Sequence, residues 1–170
     1  MQVLFVIAPE NFRDEEYKIP ETILSKKGIL VLTASTTTKN VTGMLGMVVK
    51  PDLQLESAKE ISFDALFLVG GSGAKVLWDN EYLHNLVRDF YKKKKLIGAI
   101  CLAPVILARA GILRGKKATV YESAIKELKD KDAFYSKNSI EQDGLILTGN
   151  GPAVANLFGQ TFAKILLNGI

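Results

Sequence analysis

Four short and almost uninterrupted apolar runs constrain the fold of this chain more than any other feature. They occupy residues 1–8, 29–34, 65–69 and 96–100. A strand with one face in water alternates apolar and polar residues, whereas a continuous apolar strand must be covered on both faces, as in a parallel sheet. The runs therefore predict a buried parallel sheet with helices on both sides.

A helix is predicted between the first two runs. Asp14 is placed to cap it, Ile19, Ile23 and Leu24 recur on one face, and Gly28 follows its last turn. Strand, helix and strand form a βαβ unit, whose crossover is expected to be right-handed.

The remaining segments continue this alternation. Residues 42–49 contain Gly43 and Gly46 within an apolar stretch and predict a hairpin or bulged strand outside the main sheet. One domain spanning residues 1–170 is expected, a flavodoxin-like three-layer α/β/α sandwich with a mostly parallel central sheet and a small additional hairpin. The other predicted elements are helices through Leu83, Val87 and Phe90, at 103–109 and at 152–167, and strands at 118–120, 139–140 and 145–148.

Composition narrows the possible partners. The net charge of +4 and the pI near 9.1 are a mild basic excess, and the lysines at 92–95 are expected to be a solvated helix end. No aromatic platform accompanies them, so no nucleic-acid partner is predicted. The first apolar run lacks a basic leader, and no run has membrane-spanning length. With a single cysteine and hence no intramolecular disulfide, a cytoplasmic protein without a membrane partner is expected.

Cys101 is the first candidate for chemistry. It follows the strand at 96–100 and precedes a helix, and alanines at 99 and 103 provide the small neighbours that a sharp strand-to-helix turn requires. The N-terminus of that helix is expected to favour the thiolate. The alternative is that Cys101 is a small buried core residue.

A loop with four acidic residues follows the first strand at the same sheet edge. It carries Glu10, Asp14, Glu15 and Glu16, one of which can reach the thiol and act as an acid or a base. Capping of the helix is the alternative, and it is the preferred interpretation for Asp14 and Glu15.

A glycine loop, residues 70–73, follows the third strand. Its spacing fits neither a dinucleotide fingerprint nor a phosphate-binding P-loop, so an oxyanion hole formed by the amides near Gly71 and Leu102 is favoured. The only histidine, His84, falls on a helix away from the strand ends. A conventional cysteine–histidine pair therefore has no general base.

These motifs resemble the ThiJ/PfpI superfamily, which includes PfpI-type proteases, glyoxalase III and protein deglycases. The resemblance spans the chain and rests on VLFVIAPENFRDEEYKIP, VTGMLGMVVKPD, LFLVGGSGA, GAICLAPVILARAGILRGKKAT and DGLILTGNGPA.

The resemblance implies a role for particular residues. Cys101 is the nucleophile, Glu16 its carboxyl partner, and Gly71 and Leu102 the oxyanion amides. The substrate pocket is expected to include Gly70, Tyr121 and Asn150, and a homo-oligomer is implied. No cofactor or metal site is predicted.

Three functions are compatible with these residues. The first is an enzyme acting on small reactive aldehydes such as methylglyoxal, or on their adducts with protein side chains. The second is a redox-sensing or chaperone-like protein with an oxidisable cysteine and no turnover. The third, an intracellular peptidase, is ranked last because Leu102 stands where the PfpI-type proteases have histidine.

Overall fold

The computed structural model describes residues 1–168, which are built around a sheet of seven strands. The strands lie in the order β10-β11-β7-β6-β1-β2-β5, and only the β10–β11 pair is antiparallel. In chain order the strands are β1 (Gln2–Val6), β2 (Leu30–Ser35), β3 (Val41–Thr42), β4 (Val48–Val49), β5 (Leu53–Gln54), β6 (Ala65–Leu68), β7 (Leu96–Ile100), β8 (Lys117–Ala118), β9 (Phe134–Tyr135), β10 (Ile140–Asp143) and β11 (Ile146–Gly149).

Helices cover both faces of this sheet. The connection through α1 moves from β1 to β2 in one direction and the connection through α2 moves from β6 to β7 in the other, so right-handed crossovers place these helices on opposite faces. Helix α5 packs against α1, and α3 packs against α2. The helices are α1 (Asp14–Lys26), α2 (Glu81–Lys92), α3 (Pro104–Arg109), α4 (Ile125–Lys129) and α5 (Ala155–Asn168).

The core confirms the interpretation of the first, third and fourth apolar runs, whereas in the second Leu30 is exposed and Val31 and Leu32 are only partly buried. Every residue of β6 and β7 is buried, and Phe5 and Phe67 of adjacent strands stack with ring centroids 4.3 Å apart. Phe158 and Phe162 of α5 meet the Phe67 ring edge-on. Strands covered on both faces cannot alternate in polarity, which is why their sequences are continuous apolar runs.

The predicted α/β architecture and the separate hairpin, β3 with β4, are confirmed. Three elements escaped prediction: β5, β9 and α4. Each has between two and five residues, too few to display a period of 2 or 3.6. Strand β5, for example, is defined only by its pairing with the end of β2.

The predicted role of Asp14 is wrong. Arg13 is the N-cap residue of α1 and makes no side-chain capping bond, while Asp14 is already helical. The Asp14 carboxylate instead accepts hydrogen bonds from the backbone N–H groups of Leu45 and Met47, each at 2.8 Å. The turn of the hairpin lies over the start of α1, and its amides need this acceptor. Asp14 therefore fixes the hairpin beside the loop that follows β1.

The candidate residues meet at the carboxyl edge of the parallel strands. Glu16 follows β1, the glycine loop follows β6, and Cys101 follows β7, three neighbouring strands of the sheet. The direction in which successive strands are added to the sheet reverses between the parallel strands β1 and β6, and ligands of open α/β sheets bind at such a switch point. Within residues 1–168, none of the helices is both long enough and apolar enough to cross a membrane.

Candidate active site

Cys101 occupies a sharp turn, as its flanking alanines predicted. Its φ is 63°, in the left-handed region, where a residue with a side chain is strained by about 1–2 kcal/mol. Two hydrogen bonds of 2.9 Å hold the turn: the Tyr121 N–H donates to the Cys101 carbonyl, and the Trp78 indole N–H donates to the Leu102 carbonyl. The thiol side chain is thereby fixed at the end of β7 and is 6% exposed.

Glu16 is the carboxylate that reaches the thiol. It lies in the first turn of α1, is fully buried, and accepts a hydrogen bond of 3.0 Å from the Gly70 N–H through Oε2. The carboxyl group also lies beside the Cys101 thiol, and its interaction with the thiol opposes the rise of the Glu16 pKa. Its other oxygen, Oε1, has no N–H or O–H partner among the described residues. A buried carboxyl with so few partners is poorly suited to carry a charge.

Burial dominates the acid–base chemistry of this pair. It raises the pKa of Glu16 to about 8, against the opposing effects of the Cys101 thiol and the Gly70 amide. Burial and repulsion from the Glu16 carboxylate raise the pKa of Cys101 to about 12, against the N–H groups of Gly71 and Leu102. Two negative charges are unfavourable when the thiol and the carboxyl lie side by side, so the Cys101–Glu16 pair retains at least one proton at neutral pH.

The predicted lowering of the thiol pKa is therefore wrong. Helix α3 has only six residues and begins at Pro104, three positions after the thiol, so Cys101 does not lie at its first turn. Desolvation of the sulfur outweighs the two amides that do lower its pKa.

The N–H groups of Gly71 and Leu102 lie near the sulfur, where both lower the thiol pKa, and their role as oxyanion donors stays a prediction. Each N–H is oriented by a hydrogen bond to the carbonyl oxygen of the same peptide group. Because N–H and C=O point in opposite directions in a trans peptide, the Arg13 N–H bonded at 3.0 Å to the Gly70 carbonyl turns the Gly71 N–H toward the site. The bond from Tyr121 to the Cys101 carbonyl does the same for the Leu102 N–H.

Gly70 lies behind the pair rather than in the pocket where it was predicted. A Cβ atom at this position would be 2.5 Å from the Cys101 Cβ and 2.5 Å from the Glu16 Oε2. Glycine is thus required for the thiol and the carboxyl to approach each other. At Gly71 the φ of 99° and a 2.4 Å approach to the Arg13 nitrogen exclude a side chain as well.

A pocket of about 170 Å³ opens onto the thiol. Tyr121 lines it as predicted, together with the predicted Cys101, Gly71 and Leu102. Four lining residues were missed: Arg13, Met44, Ser72 and Pro152. Met44 belongs to the hairpin turn that Asp14 holds in place, a contact across the fold for which the sequence carries no local pattern.

Asn150 and His84 do not belong to this lining among the described residues. Asn150 follows β11, where its backbone N–H donates to the Ser139 carbonyl. His84 lies on α2, and its Nε2 is 2.7 Å from the Trp78 carbonyl, so this nitrogen carries the proton. The sole histidine is therefore engaged in a structural hydrogen bond.

Comparison with known proteins confirms the resemblance and the fold class. A family model described as the DJ-1/PfpI family matches residues 1–165. The chain is 44% identical over 168 residues to an uncharacterized protein of Methanocaldococcus jannaschii, covering 97% of this chain and 82% of that protein. It is 32% identical over 166 residues to a protein of Pyrococcus horikoshii named a deglycase, covering 98% and 99%. A solved ThiJ/PfpI domain protein from Brachyspira murdochii superposes with a TM-score of 0.95 at 28% identity, covering 99% and 97%.

Proposed function

The chain belongs to the DJ-1/PfpI family, and on that premise we propose that it is a cysteine-dependent enzyme acting on small reactive aldehydes such as methylglyoxal, or on their adducts with protein side chains. The observation that carries the proposal is the buried pair of Cys101 and Glu16, with two backbone amides converging on the sulfur. The deglycase name of the Pyrococcus horikoshii relative supports it.

Addition to the aldehyde uses the form of the pair that has lost one proton. In that form the remaining proton is mainly on the Cys101 thiol, and its transfer to the Glu16 carboxylate produces the thiolate that acts as the nucleophile. The sulfur bonds to the aldehyde carbon, the carbonyl electrons move to oxygen, and Glu16 gives its proton to that oxygen. The N–H groups of Gly71 and Leu102 stabilise the negative charge that develops during this step. The product is a hemithioacetal.

The Glu16 carboxylate left by this step is a base beside the adduct. With a 2-oxoaldehyde it removes the proton from the carbon bonded to sulfur and returns it to the neighbouring carbon, giving a thioester of a 2-hydroxy acid. Water then hydrolyses the thioester and restores the thiol. Methylglyoxal and water become lactate, with no external oxidant or reductant.

The pKa of Glu16, raised by burial to about 8, suits these alternating roles. A group that donates a proton in one step and accepts one in the next works best when its pKa is close to the working pH. A solvent-exposed glutamate would be ionised throughout and would be a poor acid in the addition step.

The test is lactate formation from methylglyoxal by the purified protein. Cys101→Ser removes the nucleophile and Glu16→Gln the proton carrier, and each is expected to reduce turnover by roughly a hundredfold or more. His84→Gln is the matched control, because it keeps an amide donor for the Trp78 carbonyl and should retain activity. Absence of lactate from the wild-type protein, or equal turnover by Cys101→Ala, would reject the proposal.

The other two functions are less well supported by the site. Peptide hydrolysis needs a general base for the thiol, and the only histidine is bonded to the Trp78 carbonyl. Redox sensing stays a prediction, for which intact-mass measurement after mild peroxide treatment would detect oxygen added to Cys101. The homo-oligomer implied by the resemblance also stays a prediction.

A further inference from the structure

Arg13 is the only charged side chain among the residues that line the pocket at Cys101. The other members are the apolar side chains of Met44, Leu102 and Pro152, two small residues, a tyrosine and the thiol itself. A single cation in an uncharged pocket gives the site an electrostatic preference. Neither the hemithioacetal chemistry nor the orientation of the amides makes use of this guanidinium.

The Arg13 side chain retains capacity to bind a second group. Its Nε and Nη2 donate to the two carboxylate oxygens of Glu15, at 2.8 and 3.1 Å. These bonds use two of the five N–H donors of a guanidinium, and no other side-chain hydrogen bond of Arg13 occurs within residues 1–168. The Arg13 pKa is raised, first by the hydrogen bond to Glu15, and Cys101 contributes to the shift. The guanidinium therefore lies within electrostatic range of the sulfur.

We propose that this pocket selects aldehydes that carry an anionic group, a carboxylate or a phosphate, and that Arg13 binds that group while Cys101 attacks the carbonyl carbon. The inference rests on the proposed function and specifies its substrate class. The arrangement favours a compact molecule, because the pocket of about 170 Å³ is smaller than a typical drug-sized site. In the addition step the sulfur–carbon bond forms, the carbonyl electrons move to oxygen, and that oxygen receives the proton from Glu16.

A pair of alkylating reagents measures this preference without requiring turnover. Iodoacetate and iodoacetamide both transfer a two-carbon group to a thiolate and release iodide, and they differ in carrying an anionic carboxylate or a neutral amide. The quantity compared is the rate with iodoacetate divided by the rate with iodoacetamide at Cys101. A change in ionisation of the thiol affects both rates equally and therefore cancels in this ratio. We expect the ratio to exceed that of a free small thiol and to fall roughly tenfold in Arg13→Gln, the size of a charge-assisted contact.

Two further variants sharpen the measurement. Lys18→Gln makes the same change of charge on α1 but lies outside the pocket, and it should leave the ratio unchanged. Glu15→Gln removes the carboxylate that competes for Arg13, so the ratio should rise. An unaltered ratio in Arg13→Gln would overturn the inference.

A protection experiment shows which anionic group the pocket prefers. Cys101 is protected from iodoacetamide by each of three aldehydes in turn. Glyoxylate carries a carboxylate, glycolaldehyde phosphate carries a phosphate, and glycolaldehyde is the neutral control. Stronger protection by either anion, lost in Arg13→Gln, supports the inference and identifies the group. Equal protection by all three aldehydes contradicts it. A wild-type protein that shows the charge preference but makes no lactate from methylglyoxal would instead contradict the proposed function.

Discussion

The two edges of the central sheet shift the pKa of a carboxyl group in opposite directions. At the carboxyl edge, burial raises the pKa of Glu16 to about 8. At the amino edge, the pKa of Asp143 is lowered, first by the backbone N–H of Lys117 and then by the ammonium group of Lys116. Both residues are acids beside a sheet, so the difference lies in the partners that each site supplies.

Charged side chains at the amino edge have hydrogen-bond or ion-pair partners, as two examples show. Lys95, the last lysine of the run, forms an ion pair with Glu60 and donates to the Phe63 carbonyl at 2.7 Å. Asp64 accepts a bond of 2.7 Å from the Gln2 N–H. The carboxyl edge instead holds a strained cysteine and a glutamate, Glu16, whose Oε1 has no hydrogen-bond partner within residues 1–168. Such under-satisfied groups are expected where a site works on a substrate.

The largest expected difference between the two edges is the loss of stability when a glycine is replaced by alanine. Gly70→Ala places a methyl group 2.5 Å from the Cys101 Cβ and from Glu16 Oε2, and 2.6 Å from the Ile100 carbonyl oxygen. We expect it to lower the free energy of unfolding by about 3 kcal/mol and to separate the thiol from the carboxyl. Gly144→Ala, at the amino edge, meets no atom within 4 Å but has a φ of 60°. A loss of about 1 kcal/mol is expected there.

Denaturant unfolding of both variants measures this difference. Methylglyoxal turnover adds an independent comparison, since Gly144→Ala should keep the wild-type rate while Gly70→Ala loses it. A Gly70→Ala protein with wild-type stability and turnover would contradict the close approach of Cys101 and Glu16.

The next effect concerns the bond that orients the Leu102 amide. Tyr121 has φ −56° and ψ 140°, a conformation that proline adopts. Tyr121→Pro keeps the φ of this residue but replaces the N–H that bonds the Cys101 carbonyl with the ring Cδ, which displaces that carbonyl and with it the Leu102 N–H. Tyr121→Ala removes the same aromatic side chain but keeps the N–H. We expect turnover by the proline variant to be about tenfold lower than that of the alanine variant.

Thermal unfolding would show whether both Tyr121 variants are folded at the assay temperature. Equal turnover by the proline and alanine variants would mean that the Tyr121 N–H does not position the oxyanion amide. A lower rate in both, by the same factor, would assign the effect to the ring that lines the pocket.

Per pH unit, a smaller effect is the pH dependence of stability that Glu16 imposes. Its pKa rises from 4.5 in the unfolded chain to about 8 in the folded protein, so the folded state binds more protons between these values. Stability therefore falls as pH rises from 4.5 to 8, by up to about 1.4 kcal/mol per pH unit. Glu16→Gln should abolish this slope, which is measured by urea unfolding at a series of pH values.

Asp143 gives the opposite sign and serves as the control for that series. Its pKa is lowered from 3.8, so the stability it contributes is present above 3.8 and is lost as pH falls through the folded-state pKa. Asp143→Asn should leave the slope between pH 4.5 and 8 unchanged. If Glu16→Gln kept that slope, the burial of an uncharged Glu16 would not be its cause.

The fold was largely predictable from the sequence because long-range packing dictates the composition of whole strands. Residues 65–69 and 96–100 are covered on both faces, and their apolar runs express that burial directly. The sequence of the short strand β9 shows no such apolar run. It pairs with β8 over two residues, and only the folded chain brings these segments together.

The sequence predicted which residues form the site better than it predicted their acid–base chemistry. The turn at Cys101 follows from local sequence, and the nearness of Glu16 was supplied by the family resemblance. The predicted direction of the thiol pKa shift was wrong because it depends on desolvation, which several surrounding segments of the fold determine jointly. Arg13 was missed for a similar reason: its N–H bonds the Gly70 carbonyl across the fold, a contact that leaves no local pattern in the sequence.

The smallest effect is expected at the amino edge, where Lys116 pairs with Asp143 at 3.2 Å. Both side chains are partly exposed, so water replaces the interaction when Lys116→Met removes the charge, and the Lys117 N–H remains bonded to Asp143 at 2.9 Å. The free energy of unfolding should change by less than about 1 kcal/mol, and alkylation of Cys101 should keep its wild-type rate. Urea unfolding and the iodoacetamide rate measure the two quantities. A loss comparable to that of Gly70→Ala would mean that the amino edge also depends on a single buried contact, and the contrast between the two edges would disappear.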